Sequence, residues 1–400
     1  MNQPIKAPAH ILPTITLAQL LATSLWFAVN GVLPDMQRSL DLDAAALGWL
    51  TSSVQFGFIV GTLCFAGLMI ADRFSMRKVF LLCAVLGALA NVAVLWVPAD
   101  ASNKGWLILL RFTTGLCLAG IYPIGMKIAS SWFDKGLGAA LGFLVGALVV
   151  GTGLPHLLRA LGAAWSWQQV IVATSILAVA GGLLIAAWVP DGPYAANGRG
   201  APIDPRALAV IFRDRKLRAS VLGYFGHMWE LYAFFALTPM IIATYLHSSI
   251  SRAVSLLSFI VIAAGGFGCV LGGQVARRVG SAPVAAVLLA TSGTCALLAP
   301  TLLQAPWWLF ALWLLLWGFT VSSDSPQFSA LTASNAPREL VGSVLTLVNC
   351  IGFSITIVSV QWLSSLSLSG SLWYSLPLLA IGPALGLIAM RPLLQRRSAV

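Results

Sequence analysis

Long apolar runs, about twelve of them, alternate with short polar segments along this 400-residue chain. Each run approaches or exceeds the length of about 20 mostly apolar residues that an α-helix needs to cross the roughly 30 Å hydrocarbon core of a bilayer. Only helices and closed barrels satisfy every backbone group in lipid, and these runs are too long for the alternating strands of a barrel. The pattern therefore predicts an all-α membrane protein with twelve transmembrane helices. We number the predicted spans one to twelve: 12–34, 45–70, 79–98, 106–126, 137–158, 168–189, 219–246, 253–276, 283–302, 306–328, 341–363 and 372–390.

The composition and the charges support this assignment. Hydrophobic residues make up 59% of the chain and charged residues only 9%, against about 25% in soluble proteins. If both termini are cytoplasmic, 18 of the 23 Lys and Arg residues lie in cytoplasmic segments, as the positive-inside rule requires. The net charge of +11 then indicates an anionic lipid surface as partner, and not nucleic acid. We expect a multi-pass protein of the cell inner membrane whose first span is retained.

The two halves of the chain repeat each other at an offset of about 204 residues. The matching positions are Trp26 and Trp229, Pro34 and Pro239, Arg73 and Arg278, Gly115 and Gly318, Pro123 and Pro326, and Gly138 and Gly342. Such a repeat is typical of transporters built from two related halves. It predicts a six-helix bundle in residues 1–189, a cytoplasmic linker in 190–218 and a second six-helix bundle in 219–400.

The linker contains a helix signal of its own. Asp204 followed by Pro205 is typical of a helix start. The apolar residues that follow predict an amphipathic helix on the membrane surface: Ala207, Leu208, Val210, Ile211 and Leu217.

Three motifs resemble signatures of the major facilitator superfamily, although they do not resolve a subfamily. The segment from Gly67 to Lys78 resembles the signature between helices two and three, with matches at Asp72, Arg73 and Arg77. Ser75 replaces its second glycine and Met76 one of its basic residues. The other two motifs are Arg111-Phe-Thr-Thr-Gly115, which resembles the R-x-x-x-G element of helix four, and Asn30-Gly-Val-Leu-Pro34-Asp35, which resembles the L-P element of helix one.

The resemblance implies two six-helix halves that rock around a central cavity lined by helices one, four, seven and ten. It also implies a conformational latch at Asp72, Arg73, Arg77 and Lys78, for which a solvated positive-inside turn is the alternative. Gly142, Gly146 and Ala147 in span five resemble the glycine motif of antiporters, but Ala147 stands where that motif has proline. This departure disfavours antiport, and we interpret the two glycines as a helix-packing surface.

Three charges stand inside the apolar runs: Arg111, Glu230 and Asp324. A charge at mid-helix costs about 2.5 kcal/mol or more on insertion scales, so such residues are rare and usually functional. Arg111 lies roughly 8 Å below the outer edge of span four, where it could also snorkel to the interface. The family resemblance implies a role for it in proton coupling or in binding an anion.

Span seven carries the most specific local group. His227 and Glu230 stand three residues apart and therefore project from nearly one face of a helix, with Tyr224 three residues before them. Burial favours the neutral form of each group and their mutual attraction favours the charged form, so we expect a protonation site at Glu230 coupled to His227. The alternatives are a structural pair that locks helices and an intramembrane enzyme. A metal site would need a third ligand, and none is expected.

Asp324 precedes Pro326 and Gln327 in span ten, at a depth of roughly 27 Å from its outer end. The depth arithmetic separates it from Glu230, and we expect Asp324 and Gln327 to serve an inner gate, unless Asp324 caps a helix end. Asn30, Tyr224, Asp324 and Gln327 are the candidate cavity residues. Gln55, His156 and Asn349 are other polar residues in spans, which we interpret as interhelical hydrogen bonds.

The sequence therefore predicts a secondary active transporter and not an enzyme, monomeric, without a cofactor, and energised by the proton gradient. Uptake of a small organic or inorganic anion is the first prediction, because one arginine is buried and the antiporter motif is imperfect. Proton-driven drug efflux is the alternative. A channel is disfavoured because the sequence shows neither rings of like charge nor a carbonyl filter.

Overall fold

The computed structural model describes residues 7–100, 102–133, 137–162, 165–194, 203–248, 251–368 and 372–395, and all regular elements within these ranges are helical. The first six spans comprise Ile11–Ala22 with Leu33–Leu40, Ala46–Gly67, Met76–Ala93, Asn103–Leu118 with Tyr122–Trp132, Leu137–Leu161, and Trp167–Trp188. The last six comprise Arg215–Tyr245, Arg252–Val279, Ser281–Leu302, Trp307–Ser323 with Ser325–Asn335, Val341–Leu368, and Ile381–Leu394, the last preceded by Leu372–Ser375 and Leu376–Ala380.

The helices agree with the predicted spans. Within the described ranges, nine helices are long and apolar enough to cross a membrane, and the first span adds a tenth if its two parts, bent by 55°, are taken together. The seventh span, which carries His227 and Glu230, and the tenth, which is interrupted after 17 residues, complete the set of twelve.

The chain forms two compact units. One contains the residues up to Ala46 and those from Ser53 to the linker, and the other contains Leu47–Ser52 and the residues from Ile203 onward. Apart from the short segment Leu47–Ser52, the division falls in the linker, between residues 202 and 203.

Glycines that match in the sequence repeat occupy the same kind of contact in each unit. Gly115 of the fourth span packs directly against the backbone carbonyl of Val54 in the second span. Gly318 of the tenth span packs in the same way against the carbonyl of Val261 in the eighth span. A side chain at either position would collide with the facing backbone, so glycine is what lets these helices approach each other.

The helix interruptions also follow the repeat. The fourth span is interrupted between Leu118 and Tyr122, and the tenth at Asp324. In both cases an 11-residue helix resumes with a proline, Pro123 or Pro326, in its first two positions. Proline has no N–H to donate to a preceding turn, so it is tolerated at the start of a helix and disrupts its interior.

The linker contains the predicted helix, at Arg206–Arg213, while residues 195–202 lie outside the described ranges. The Asp204 carboxylate accepts hydrogen bonds from the Arg206 backbone N–H at 2.8 Å and from its guanidinium at 2.7–3.1 Å. These bonds hold the pKa of Asp204 below its ordinary value. Of the apolar residues of this helix, Ala207 and Ile211 are buried, while Leu208 and Phe212 are exposed.

The repeated glycine contacts lead to a stability prediction. We expect Gly115→Ala and Gly318→Ala each to lower the free energy of unfolding in detergent by about 1–3 kcal/mol, because the facing carbonyl must move. Gly105→Ala is the matched control, since a Cβ added there would meet no neighbouring atom within 4 Å and helix propensity favours alanine. Thermal unfolding of the three variants checks this, and equal melting temperatures would contradict it.

Candidate functional site

The seventh span positions the central residues of the candidate site. This helix, Arg215–Tyr245, starts where the Asp214 carboxylate accepts the backbone N–H groups of Lys216 and Leu217 at 2.9 and 2.7 Å. Those bonds satisfy donors that have no partner inside the helix. About half-way along the helix, His227 and Glu230 are each only 1% exposed. The span therefore carries two titratable side chains into the interior of its own unit.

The Glu230 carboxylate is held by two neutral donors. The Ser292 hydroxyl of the ninth span donates to one oxygen at 2.7 Å, and the Trp317 indole N–H of the tenth span donates to the other at 2.6 Å. Across the described ranges, the ion pairs do not include Glu230 with any Lys or Arg. Glu230 is thus a buried acid whose negative charge, when present, is balanced only by dipoles.

His227 contacts a different acid. Its Nδ1 lies 2.8 Å from Oδ1 of Asp324, and the two side chains are 1% and 0% exposed. Its other nitrogen, Nε2, is buried without a hydrogen-bond partner in the described structure. The structure therefore gives His227 and Glu230 separate partners on other spans, where the sequence predicted that they would be coupled to each other.

Asp324 requires a correction of the sequence-based layout. The depth arithmetic placed it in a separate inner layer, but its contact with His227 brings it into the same buried cluster. It lies between the two helices of the tenth span, and its carbonyl accepts the N–H groups of Gln327 and Phe328 at 2.9 and 3.0 Å. Asp324 is thus both at a helix end and fully buried, because the interruption lies inside the bundle. We call Glu230, Ser292, Trp317, His227 and Asp324 the acidic cluster.

Arg111 lies in the other unit and serves an interruption of the first span. It is 0% exposed, so it does not snorkel to the interface. Its Nη1 and Nη2 each donate to the carbonyl of Leu25 at 3.2 Å, and Nη2 also donates to the carbonyl of Trp26 at 2.5 Å. These carbonyls lie where the first span is not α-helical. Arg111 therefore stabilises the interrupted backbone, a role that the sequence motif did not indicate.

Asn91 extends this network to two more spans. Its Oδ1 accepts from Nη1 of Arg111 at 3.3 Å. Its Nδ2 donates to the carbonyl of Ile171 and to the hydroxyls of Thr174 and Ser175 at 3.0–3.2 Å. The first, third, fourth and sixth spans are thereby joined around one guanidinium group.

The predicted latch residues lie on two helices. Asp72 and Arg73 belong to the short helix Ile70–Arg73, which follows Met69 with its left-handed φ of 51°, and Arg77 and Lys78 lie in the first turn of the third span. Asp72 pairs with Lys127 of the fourth span, with Nζ and Oδ1 2.6 Å apart. Arg73 and Lys78 are exposed and Arg77 is half-buried. Lys127 was missed in the sequence because it follows the predicted end of span four, where a basic residue is unremarkable.

The other candidates lie at varied positions. The Tyr224 hydroxyl donates to Oδ1 of Asn349 at 2.7 Å, which confirms the interhelical hydrogen bond predicted for Asn349. In the described structure the buried side-chain amide of Gln55 and Nε2 of His156 have no hydrogen-bond partner, so the same prediction was wrong for these atoms. Gln327 is buried and its amide faces Gly272 of the eighth span. Asn30 is half-buried in the interrupted part of the first span. Ser292 and Trp317 carried no sequence signal, since serine and tryptophan are common in membrane helices.

Comparison with known proteins identifies the class of this chain as a membrane transporter. A family model described as Major Facilitator Superfamily matches residues 15–360. The chain belongs to the Major Facilitator Superfamily. The family and the all-α fold predicted from the sequence are thereby confirmed.

Three similar proteins illustrate the relationship. A niacin transporter, NiaP, of Acinetobacter baylyi is 29% identical over 135 residues, which are 31% of this chain and 29% of NiaP. A chloramphenicol resistance protein of Streptomyces lividans is 27% identical over 257 residues, 63% of each chain. This chain thus spans less than two thirds of the length of either relative. The structure of the xylose transporter XylE from E. coli in a partially occluded inward-open conformation has a TM-score of 0.75 at 16% identity, covering 96% of this chain and 99% of that one.

The Arg111 network leads to a prediction that needs no substrate. We expect Arg111→Lys to lower the free energy of unfolding by about 1.5–3 kcal/mol, because one ammonium group cannot reproduce the fork that serves two carbonyls and Asn91. Arg159→Lys is the control, since Arg159 pairs with Asp35 at 2.7 Å in a partly exposed position. Denaturation of the ligand-free protein in detergent measures both, and an Arg111→Lys variant as stable as the control would refute the structural role.

Proposed function

We propose that this protein is a proton-coupled secondary active transporter that works by alternating access, with Glu230 as the protonation site and His227 and Asp324 as its coupled partners. The observation that carries the proposal is the Glu230 carboxylate, fully buried and bound by the neutral donors Ser292 and Trp317. An uncompensated buried charge costs several kcal/mol even after relaxation. Binding a proton removes that cost without any other ion.

The charge balance of the acidic cluster supports the same proposal. Two carboxylates and one imidazole share the site, so a protonated His227 can neutralise one acid and leaves the other to a proton. Because the three groups lie in one buried cluster, a proton gained by one of them changes the charge that the others face.

Three spans meet at Glu230, and this supplies a link between the proton and conformation. Its hydrogen bonds come from the ninth and tenth spans, while the carboxylate itself belongs to the seventh. A displacement of the seventh span relative to the other two would break one or both bonds and raise the cost of the charged form. Proton binding would therefore favour one arrangement of the spans over another, which is what coupling requires.

For the substrate, we propose uptake of a small organic anion. The likeness to a niacin transporter supports this proposal, since niacin is an aromatic carboxylic acid. Arg111 supports it only through its positive charge, because the structure directs its Nη donors to backbone carbonyls. The second candidate is proton-driven export of an aromatic drug, supported by the likeness to a chloramphenicol resistance protein.

The distribution of basic residues supports the remaining proposals on location. We place the protein in the cell inner membrane with both termini cytoplasmic, because that orientation puts most Lys and Arg residues on the inner side. The proton gradient across this membrane would supply the energy without a cofactor. We propose that the monomer is the working unit.

The proton-coupling proposal predicts the behaviour of Glu230→Gln. In proteoliposomes, we expect the substrate accumulation that a pH gradient drives to fall by at least about tenfold in this variant. Exchange of substrate across the membrane should continue. Gln keeps the size and one acceptor oxygen but cannot carry the proton. Glu339→Gln, at an exposed acid, is the matched control. Unchanged accumulation in Glu230→Gln would contradict the proposal.

A second measurement tests the same site without any substrate. Infrared difference spectra of the purified protein between acidic and alkaline pH should show the band of a buried carboxylic acid, and Glu230→Gln should remove it. The Glu339→Gln spectrum should keep that band. A spectrum identical in all three proteins would mean that Glu230 does not change its protonation.

The two substrate candidates predict that different ligands stabilise the protein. Because a ligand that binds the folded state stabilises it by mass action, niacin should raise the melting temperature if the anion proposal is right, and chloramphenicol should do so if the drug proposal is right. The direction of transport can be measured in proteoliposomes with an imposed pH gradient. If the anion proposal is right, the proteoliposomes should take up the anion together with protons. Stabilisation by chloramphenicol alone would replace the first proposal by the second.

A further inference from the structure

The linker helix has an exposed apolar surface that plays no part in the proposed transport mechanism. In the helix Arg206–Arg213, Leu208 and Phe212 stand one turn apart and are 40% and 52% exposed. Ala207 and Ile211, about 100° around the helix from this pair, are buried against the rest of the unit. Protein therefore covers one part of the apolar surface of the helix and leaves the adjacent part, Leu208 and Phe212, exposed.

The covered side fixes the helix in place. The Asp204 backbone N–H, just before the helix, donates to the Ser343 hydroxyl at the start of the eleventh span at 3.0 Å. The seventh span follows after a single residue, Asp214. With both ends attached, the exposed side keeps a constant orientation to the membrane-spanning helices of its unit.

Three exposed cations lie at the end of the linker helix and at the start of the seventh span. Arg213, Arg215 and Lys216 are all exposed, and in the described structure no carboxylate forms an ion pair with them. The one acid among them, Asp214, uses an oxygen to accept the backbone N–H groups of Lys216 and Leu217. Arg218 differs from the three, because its Nη1 donates to the Phe212 carbonyl at 2.7 Å.

The position of these residues along the chain sets their depth. The apolar part of the seventh span begins at Leu217 and Ala219, and Leu222, one turn further on, is 37% exposed. The cations thus lie within a few residues of the hydrocarbon boundary, at the level of lipid headgroups. An apolar pair beside a basic cluster is the arrangement of helices that lie in the membrane interface.

We propose that Leu208, Phe212, Arg213, Arg215 and Lys216 form a binding site for anionic phospholipid in the leaflet next to the linker. Leu208 and Phe212 enter the boundary between headgroups and acyl chains, and the three cations contact headgroup phosphates. Guanidinium groups match phosphate oxygens with two parallel hydrogen bonds. The site would hold the linker helix on the membrane and is independent of the proposed substrate and coupling ion.

The choice of an anionic lipid follows from charge. Each Lys or Arg near an anionic surface contributes about 1 kcal/mol, which is roughly a fivefold gain in affinity. With three such residues, the affinity for an anionic leaflet exceeds the affinity for a neutral leaflet by about two orders of magnitude. A soluble acidic protein would satisfy the cations but would leave Leu208 and Phe212 at the membrane boundary without a role.

The test uses the full-length protein in nanodiscs of phosphatidylcholine, with and without phosphatidylglycerol, and measures backbone hydrogen exchange by mass spectrometry. Residues 206–216 should exchange at least about tenfold more slowly in the anionic discs, and high salt should remove the protection. Residues 296–306, at the end of the ninth span, carry no charged residue and are the internal control, which should not change.

Paired variants decide whether the named residues are responsible. Arg213→Gln with Arg215→Gln should abolish the protection by anionic lipid, whereas Arg277→Gln with Arg278→Gln should leave it intact. Arg213→Lys with Arg215→Lys keeps the charge and should retain most of it, which distinguishes lost binding from a misfolded linker. Equal exchange in both kinds of disc, or equal effects of the two Gln pairs, would overturn the proposal.

Discussion

Every polar backbone group within the hydrocarbon must find a partner inside the protein, and the interruptions of the spans show how this chain meets that requirement. In the first span, two carbonyls left by the loss of regular helix accept hydrogen bonds from Arg111. In the tenth span, Asp324 stands between two helices and lies 2.8 Å from His227. The buried charges are therefore located where the helices are discontinuous or where they meet.

The two units meet this requirement with different buried charged groups. In one unit, a buried cation donates to two carbonyls and to the amide of Asn91, which bonds in turn to hydroxyl groups, so that the network joins four spans. In the other, two acids and a histidine are held by three spans. Fixed dipoles can stabilise the charged guanidinium permanently. The acids, in contrast, lose the free-energy cost of a buried negative charge when they take up a proton. The first arrangement suits a structural role and the second suits a role in coupling.

Several features of the fold could be read from the sequence because they depend on local composition. The twelve spans follow from the length of the apolar runs, and the interruption of the tenth follows from Pro326. The repeat matched Gly115 with Gly318, and the structure shows why, since each meets a backbone carbonyl of a neighbouring span. The linker helix, Arg206–Arg213, was likewise predictable, from its helix start at Asp204 and the apolar residues that follow.

What the sequence by itself determined is thus the class of protein, the number of helices, the repeat and the identity of the buried charges. Only the tertiary structure decided which groups those charges meet. His227 and Glu230 lie on nearly one face of a helix, but packing fixes the rotation of that helix and directs each to another span. Ser292 and Trp317 reach Glu230 from 62 and 87 residues away, distances over which neither periodicity nor motif carries information. Arg111 shows the same limit, since its carbonyl partners exist only after the first span has been interrupted and packed.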